Sequence, residues 1–550
     1  MSSSVLRVIS FIFRNRSYVF CSVIIFSTAA LDAQFDTAIV PHRYIVVYRN
    51  AAIPGDAEAR AHAAGTRLIH RNERFGMAII AAPSNSGIPD ATDDAQFMQR
   101  LAAQPNVDYV LHDRTVAASH LTLRPQIDSS FTVVLGPIRV HPIGPAFGHD
   151  PETPLTPIDP PAPNPDTYYN SPQGWAVRQV GGYGNNVPGG PAHGPWDTTT
   201  GKGVRIAILD SGIDATHPDL APNLALNITE INQDPQTGLP SPCDDGSPQD
   251  QTGHGTWTAS LAAAAQGPGT GETIGVAPSA MLLNIKVLQR MPDSALGGVG
   301  ASSTAVQCSS GQATGLLSWL LQGIEDAMSN KADIISMSLG TTIDLSTGEG
   351  AGLQAAFDRV TYAASQAGII LIAAAGNDGY DLSNPRYIEL PAQARDVLAM
   401  VASTNPDCAQ NTTAGAVCAP GTTALAYYSN FGAPLNALAA PGGSYPAGSD
   451  IGVTGWIRGA CSDGVPGTTD GLPSDPTHSY GCFNLGHTPY VQAMGTSAST
   501  PLAAGVAALL RAAHPEWSAS TVIAAIRSSA VPAPNLPLPQ INAATALNTH

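Results

Sequence analysis

Residues 204–210 read VRIAILD, a near-continuous apolar run that ends in a carboxylate. Four more apolar runs follow, and stretches with helical character lie between them. Apolar strands that are buried on both faces and alternate with helices predict an α/β fold with a mostly parallel central sheet. The further runs are 281–288, 333–339, 369–375 and 397–402, and the predicted helices are 254–265, 315–330, 351–367 and 496–513.

Polar residues stand where chemistry is expected, at the carboxyl ends of these runs. Asp210 ends the first run and Asn377 follows the run at 369–375, while GHGT at 253–256 and GTSAS at 495–499 add a histidine and a serine in small-residue settings. Ser497 would attack a substrate, His254 would take and return the proton, and Asp210 would orient the imidazole. The Asn377 amide and the Ser497 backbone N–H would stabilise a developing oxyanion.

Each of these features alone has an ordinary structural explanation. A lone Asp at a strand end is usually a turn residue, a Gly-His-Gly segment usually forms a loop, and a Ser before a helix is usually an N-cap. Their joint appearance favours catalysis. The four blocks, in this order, resemble the subtilisin-like serine proteases (subtilases), with supporting matches at VAP 276–278, SMSLG 336–340, SNFG 429–432 and APG 440–442.

The resemblance implies a three-layer catalytic domain at 173–550 that hydrolyses proteins or peptides without a cofactor for catalysis. Two positions depart from the family pattern: Trp257 stands where His is frequent, and Ala498 where Met is usual. The acidic sedolisin branch is an alternative, which the presence of His254 and Asn377 disfavours. The resemblance also assigns the walls of the primary substrate pocket to Ser338, Leu339 and Gly340 on one side and to Ala373, Ala374, Ala375 and Gly376 on the other.

The walls consist of small residues, so we expect an open, uncharged slot and a broad endopeptidase that favours apolar residues before the cut. Two alternatives remain: a dedicated processing protease for one partner, and a catalytically inactive binding protein on the same fold. Family members commonly hold structural calcium. An acidic loop with Asp244, Asp245, Ser247 and Asp250 offers oxygen ligands for it, although such loops are usually only solvated.

A second, smaller domain precedes the catalytic region. Its predicted elements are a strand at 43–48, a helix at 56–70, a strand at 75–82, a helix at 94–103 and a strand at 107–111. This region resembles the inhibitory propeptide of the same family, which implies an α+β ferredoxin-like domain at 40–118 that occupies the site until it is cut away. Eleven prolines between residues 137 and 172 predict a stiff linker at 119–172, with the cut inside 118–172.

The N-terminus has the features of an export signal. Arg7, Arg14 and Arg16 precede an apolar stretch at 18–30, which is too short to span a bilayer but suits a signal peptide at 1–33. A single membrane anchor is the alternative. We therefore expect a secreted protein, extracellular or periplasmic, with no membrane association after cleavage.

Composition and net charge argue against a nucleic-acid-binding function, and the cysteine count suggests disulfides. The 550 residues are 43% apolar and 12% charged, and the net charge of −17 argues against a nucleic-acid partner, whose binding surface would be basic. The protein is expected to be a monomer, as most family members are. The chain after residue 33 keeps six cysteines, which in an exported chain suggests disulfides. The sequence does not choose among the possible pairings. Nearest-neighbour pairing would give Cys408–Cys418 and Cys461–Cys482 and leave Cys243–Cys308; a zinc site is the alternative.

Overall fold

The computed structural model describes residues 39–82, 91–118, 174–184, 193–231, 240–265, 273–292, 308, 312–405, 423–443, 456–464, 480–483, 487 and 489–548. The predicted signal peptide, the predicted proline-rich linker and the Cys408–Cys418 pair lie outside these residues. Within them are a small N-terminal domain, residues 39–118, and a large α/β domain from residue 174 onward.

The small domain is an antiparallel sheet in the order β4-β1-β3-β2 with two helices. Buried apolar side chains of β1, β3 and β4 meet the helices in one cluster that includes Tyr44, Ile80, Phe97 and Leu101. The βαββαβ order is that of a ferredoxin-like fold. Its elements are β1 (Ile39–Tyr48), α1 (Ala57–Ala63), β2 (Arg67–Asn72), β3 (Met77–Ala81), α2 (Ala91–Ala102) and β4 (Val107–Ala118).

The predicted helix at 56–70 is wrong in its second half. The helix ends at Ala63, Gly65 adopts a left-handed φ of 78°, and β2 begins at Arg67. Glycine favours this conformation at a helix end because it has no side chain to clash. The strand predicted at 107–111 is also too short, since β4 continues to Ala118.

The large domain has three layers built on a seven-membered run of strands in the order β15-β14-β12-β10-β5-β7-β6, with β16 also beside β14. All neighbours pair in parallel except β14 and β15. The strands are β5 (Arg205–Asp210), β6 (Leu224–Thr229), β7 (Met281–Lys286), β8 (Leu288–Met291), β9 (Gln312–Leu316), β10 (Ile334–Met337), β11 (Leu339–Asp344), β12 (Ile370–Ala374), β13 (Tyr387–Leu390), β14 (Val397–Thr404), β15 (Ala424–Leu425), β16 (Leu438–Pro441), β17 (Ile457–Ala460) and β18 (Tyr490–Ala493).

Helices cover both faces of this sheet. Ile206 and Ile208 of β5 join the apolar cluster that contains α5 and α8, whereas Ala207 and Leu209 join the cluster that contains α6 and α7. Alternate burial on two faces explains why the sequence of β5 is apolar throughout. The helices are α3 (Trp175–Gln179), α4 (Pro195–Thr198), α5 (His254–Ala263), α6 (Leu317–Ser329), α7 (Gly348–Gln366), α8 (Thr496–Ala513), α9 (Ala519–Ser529) and α10 (Ala543–Asn548).

The small domain packs on α6 and α7 of the large domain. Asp113 of β4 accepts hydrogen bonds from Arg43 Nε at 2.7 Å and from the backbone N–H of Ser318, in the first turn of α6, at 3.1 Å. Glu349, in the first turn of α7, accepts from the backbone N–H and the ring Nδ1 of His112 at 2.8 and 2.9 Å. Two carboxylates therefore meet the positive ends of two helix dipoles, which stabilises the contact.

Candidate active site

Asp210 and His254 are in direct contact. His254 Nδ1 lies 2.7 Å from Asp210 Oδ1, and only 2% of His254 and none of Asp210 is exposed. The Thr258 hydroxyl donates to Asp210 Oδ2 at 3.1 Å. A carboxylate can only accept, so Nδ1 carries the proton and Nε2 is left as the basic nitrogen. The pair thus has the tautomer that a general base requires.

Two glycines flank His254 because the backbone requires them. Gly253 has a φ of 90°, which disfavours any side chain, and a β-carbon on Gly255 would lie 2.1 Å from the carbonyl oxygen of Gly212. The loop after β5 and the start of α5 therefore touch through bare backbone. This close approach places the helix that carries His254 against the strand that carries Asp210.

Asp250, one of the predicted calcium ligands, forms hydrogen bonds both to the loop after β5 and to the start of α5. Its carboxylate accepts from the Ser211 hydroxyl at 3.0 Å and from the backbone N–H groups of Gly253 at 2.8 Å and Thr256 at 2.9 Å. The Ser211 hydroxyl in turn accepts from Gly255 N–H at 2.9 Å. Asp250 thus positions the loop of His254 from within the core.

Ser497 lies in the first turn of α8, which packs against α5. Its hydroxyl donates to the Ser338 carbonyl at 3.3 Å, and the Ser338 hydroxyl donates to the Ser497 carbonyl at 2.9 Å. β10 pairs in parallel with β5 and matches Ser336 with Ile208, so Ser338 is level with Asp210 on the next strand. Ser497 and the Asp210–His254 pair therefore gather at adjacent strand ends.

Asn377 follows β12 and is only 3% exposed. Its side-chain oxygen accepts from both the backbone N–H and the hydroxyl of Thr496 at 2.8 Å. Because the Thr496 N–H can only donate, the oxygen is fixed toward α8 and the amide NH₂ is directed away from it. The Asn377 side chain is thereby anchored to the turn of α8 that carries Ser497, with its amide donors left for another acceptor.

The two predicted pocket walls leave adjacent strands. Met337 of β10 pairs with Ala373 of β12, and the chain then continues through Ser338–Gly340 on one side and Ala374–Gly376 on the other. Ser338, Leu339, Ala373, Ala374 and Ala375 are all buried. Gly376 needs to be glycine because its φ is 94° and a β-carbon would lie 2.3 Å from Asn430 Nδ2.

An acidic side chain lies beside these walls of small residues. Glu389 of β13 pairs with Thr342 of β11, and this register brings its carboxyl against Gly340 and Gly376. The group is 4% exposed. Glu389 lies 49 residues after Gly340, and no local sequence pattern reveals the pairing of β11 with β13 that brings the two together.

The last strand of the small domain runs between β9 and β11. Ala118 pairs with Leu339 and Ala117 with Gly340 on one side, and Ala117 pairs with Thr314 on the other. Both pairings are antiparallel. A segment of the same chain thus forms a strand along one of the predicted pocket walls.

Two predicted disulfides are confirmed, Cys243–Cys308 and Cys461–Cys482. The second lies against the His254 loop, since a β-carbon on Gly253 would lie 2.6 Å from Cys461 Sγ. The ring of Phe483, next to Cys482, meets the His254 ring edge-on with centroids 6.3 Å apart. This bridge therefore supports the loop that carries the histidine.

The acidic loop does not present a cation site. Both carboxylate oxygens of Asp244 bind Lys286 Nζ, at 2.9 and 3.0 Å, and the carboxylate of Asp250 is occupied by the donors described above. Across the described residues, no group of three or more His, Cys, Asp or Glu side chains is arranged to hold a metal ion.

The family model for the subtilase family of peptidases matches residues 201–547, well over half of the chain. This chain belongs to the subtilase family. Subtilisin E of Bacillus subtilis (strain 168) is 30% identical over 331 residues, which are 60% of this chain and 61% of that relative. Thermitase of Thermoactinomyces vulgaris is 31% identical over 335 residues, which are 61% of this subtilase and 84% of the relative. This subtilase thus spans about 61% of the length of the first subtilisins that it matches.

Solved structures confirm the fold. The epidermin leader peptide processing serine protease of Staphylococcus aureus aligns with 92% of this subtilase and 97% of its own chain, with a TM-score of 0.55 and 18% identity. Fervidolysin of Fervidobacterium pennivorans, a keratinolytic enzyme related to subtilisin, covers 94% of this chain and 62% of its own, with a TM-score of 0.54 and 17% identity. Among the described residues of this subtilase, no helix is long and apolar enough to cross a membrane.

Proposed function

We propose that this subtilase is a serine endopeptidase that hydrolyses peptide bonds through Asp210, His254 and Ser497. The observation that carries the proposal is the 2.7 Å contact between Asp210 Oδ1 and His254 Nδ1 at the end of β5. Ser338, beyond the end of the neighbouring strand β10, accepts a hydrogen bond from the Ser497 hydroxyl. A serine hydroxyl is a weak nucleophile at neutral pH and needs such an oriented base.

The steps follow from these groups. His254 Nε2 takes the proton of the Ser497 hydroxyl as its oxygen attacks the substrate carbonyl, and the Asp210 carboxylate stabilises the resulting imidazolium. The carbonyl oxygen becomes an oxyanion, to which the Asn377 amide and the Ser497 backbone N–H donate. His254 then passes its proton to the leaving amine. Water repeats the sequence on the acyl-enzyme and releases the product. Protein groups supply each of these proton transfers.

We further propose that the small domain is an inhibitory propeptide that the enzyme removes from itself. Its last strand pairs with Leu339 and Gly340 as a substrate strand would. A strand continued in this register reaches Ser338, whose carbonyl lies 3.3 Å from the Ser497 hydroxyl. The self-cleavage that separates the small domain is therefore expected after Ala118, inside 118–172.

Secretion, extracellular or periplasmic, belongs to the same proposal. The confirmed disulfides support it, because such bonds form and persist in oxidising compartments. We propose a monomeric enzyme that acts on protein or peptide substrates. The broad specificity with an apolar preference that the sequence suggested stays a prediction, and Glu389 gives a reason to expect a different one.

The test compares the wild type with Ser497→Ala on casein while intact mass and N-terminal sequence are followed. The wild type should cut itself inside 118–172 and digest casein, and Ser497→Ala should do neither. Ser499→Ala is the matched control: it removes another buried hydroxyl of the same helix turn, which donates to the Ala440 carbonyl at 2.9 Å, and should keep activity. A wild type that stays intact and inert would favour a binding protein on this fold.

A further inference from the structure

The carboxyl group of Glu389 is a buried acid that the proposed mechanism does not use. Its Oε2 accepts from the Thr342 hydroxyl at 2.7 Å. Its Oε1 lies 2.3 Å from where a β-carbon of Gly340 would be, and its Cδ lies 3.4 Å from where a β-carbon of Gly376 would be. The carboxyl thus touches both walls of the proposed pocket at the positions where neither wall has a side chain.

Because both positions are glycines, no side chain of either wall separates the carboxyl from the gap there. At Gly340, any larger residue would push against Oε1. A peptide that lies on Leu339 and Gly340 as β4 does runs directly over this position. The side chain of the peptide residue that enters between the walls would therefore approach the Glu389 carboxyl.

The electrostatic setting leaves this acid without a compensating charge. Burial raises the pKa of Glu389 to about 8; the Thr342 hydrogen bond lowers it and the charge of nearby Asp378 raises it. Among the described residues, no lysine or arginine forms an ion pair with Glu389. A buried carboxyl without a cation costs free energy, whereas an apolar residue in its place would not. Fold stability alone therefore does not explain a glutamate here.

We infer that Glu389 selects a lysine or arginine side chain immediately before the scissile bond. The substrate cation would supply the missing partner, and its charge-assisted hydrogen bond to Oε1 would form inside a desolvated pocket. The inference rests on the proposed endopeptidase function and replaces its apolar preference. With this selection, the enzyme is a protease that cuts after basic residues and not one of broad specificity.

The preference for a basic substrate side chain should depend on pH, because Glu389 must be deprotonated to pair with it. Below about pH 8 the free enzyme holds Glu389 protonated, so a cationic side chain must displace that proton to form the ion pair. Above pH 8 no proton has to leave, and a lysine side chain is still charged. Preference for basic over apolar residues should therefore rise with pH through about 8. Taking the ratio of two substrates cancels those effects of pH on the catalytic step that are common to both.

The test measures kcat/KM of the matured enzyme on peptides that differ only before the cut, with Lys, Arg, Leu or Phe there. The wild type should favour Lys or Arg by more than about tenfold. Glu389→Gln, which can still accept from Thr342, should lose at least about tenfold on Lys and Arg while changing less than about threefold on Leu. Asp381→Asn removes an exposed acid outside the pocket and should leave the ratio unchanged.

The possible results distinguish failure of the role of Glu389 from failure of the proposed endopeptidase activity. A wild type that favours Leu or Phe, or a Lys-to-Leu ratio that Glu389→Gln leaves unchanged, overturns the role of Glu389 while the protease assignment stands. Failure to cut any peptide, with Ser497→Ala equal to the wild type, overturns the proposed function itself. Active-site labelling of each variant counts the folded enzyme, so a loss of folding does not imitate a loss of selectivity.

Discussion

Replacing Asp113 with alanine should weaken both the packing of the small domain and its contact with the catalytic domain. Asp113 is fully buried, and its carboxylate binds Arg43, which is 1% exposed, at 2.7 Å. It also accepts from the Ser318 backbone N–H at 3.1 Å. Breaking a buried ion pair by removing one partner costs about 3–5 kcal/mol, because the other charge stays in the core. The loss of the helix-terminal acceptor adds roughly 1 kcal/mol.

Hydrogen exchange of the β4 amides, in a Ser497→Ala background that keeps the chain intact, measures this cost. One decade of protection corresponds to about 1.4 kcal/mol, so Asp113→Ala should lower protection by roughly 10³- to 10⁴-fold. Asp108→Ala is the matched control, since Asp108 of the same strand pairs with Arg359 at 3.0 Å near the surface. It should lower protection by less than about fivefold.

A double variant distinguishes the effect of the unpaired charge from general damage to the fold. Arg43→Met together with Asp113→Leu removes both charges and should recover most of the lost protection, because apolar pairs often replace buried ion pairs at little cost. The reasoning is refuted if Asp113→Ala lowers protection by less than tenfold, or no more than Asp108→Ala does.

Three further predictions concern pH, packing and catalysis. Burial lowers the pKa of His112, but hydrogen bonds to Glu349 and Asp94 raise it by more, so the net pKa is raised. The charge-assisted part of this contact is therefore complete below about pH 6.5 and is lost as pH rises through the raised value. Proteolysis of the small domain in Ser497→Ala should be faster at pH 9 than at pH 6, and His112→Asn should flatten that difference. Gly255→Ala would place a β-carbon 2.1 Å from the Gly212 carbonyl oxygen, and we expect a lower melting temperature and little casein cleavage. Asn377→Ala should reduce kcat on a peptide substrate by about 10²–10³-fold with little change in KM, and a large rise in KM alone would contradict an oxyanion role.

Sequence patterns predicted the parts of this protein that depend on local order. The apolar run 204–210 became β5 with Asp210 at its end, and the run at 369–375 placed Asn377 correctly beyond a strand. Helix ends were less certain from the sequence, since the apolar spacing of 56–70 continues past Gly65, where the chain turns into β2. A left-handed glycine, not a change in hydrophobic pattern, ends that helix.

The pairing of strands that are far apart in the chain could not be predicted from the sequence. The pairing of Thr342 with Glu389 and of Ala118 with Leu339 joins segments that are far apart in the chain and have no shared local signal. For the same reason the sequence suggested either a calcium ligand or a solvated loop residue at Asp250, whereas this residue lies in the core and binds the His254 loop. The residues were visible, but their contacts depend on strand order.

Covalent labelling by phenylmethylsulfonyl fluoride tests the catalytic proposal most directly. The reagent modifies a serine only where a base activates it. Peptide mapping of the treated wild type should find one adduct, on Ser497, together with loss of casein cleavage. Ser497→Ala should carry no adduct, and His254→Ala should label far more slowly. An adduct on another serine, or casein cleavage that survives Ser497→Ala, would contradict the proposed site.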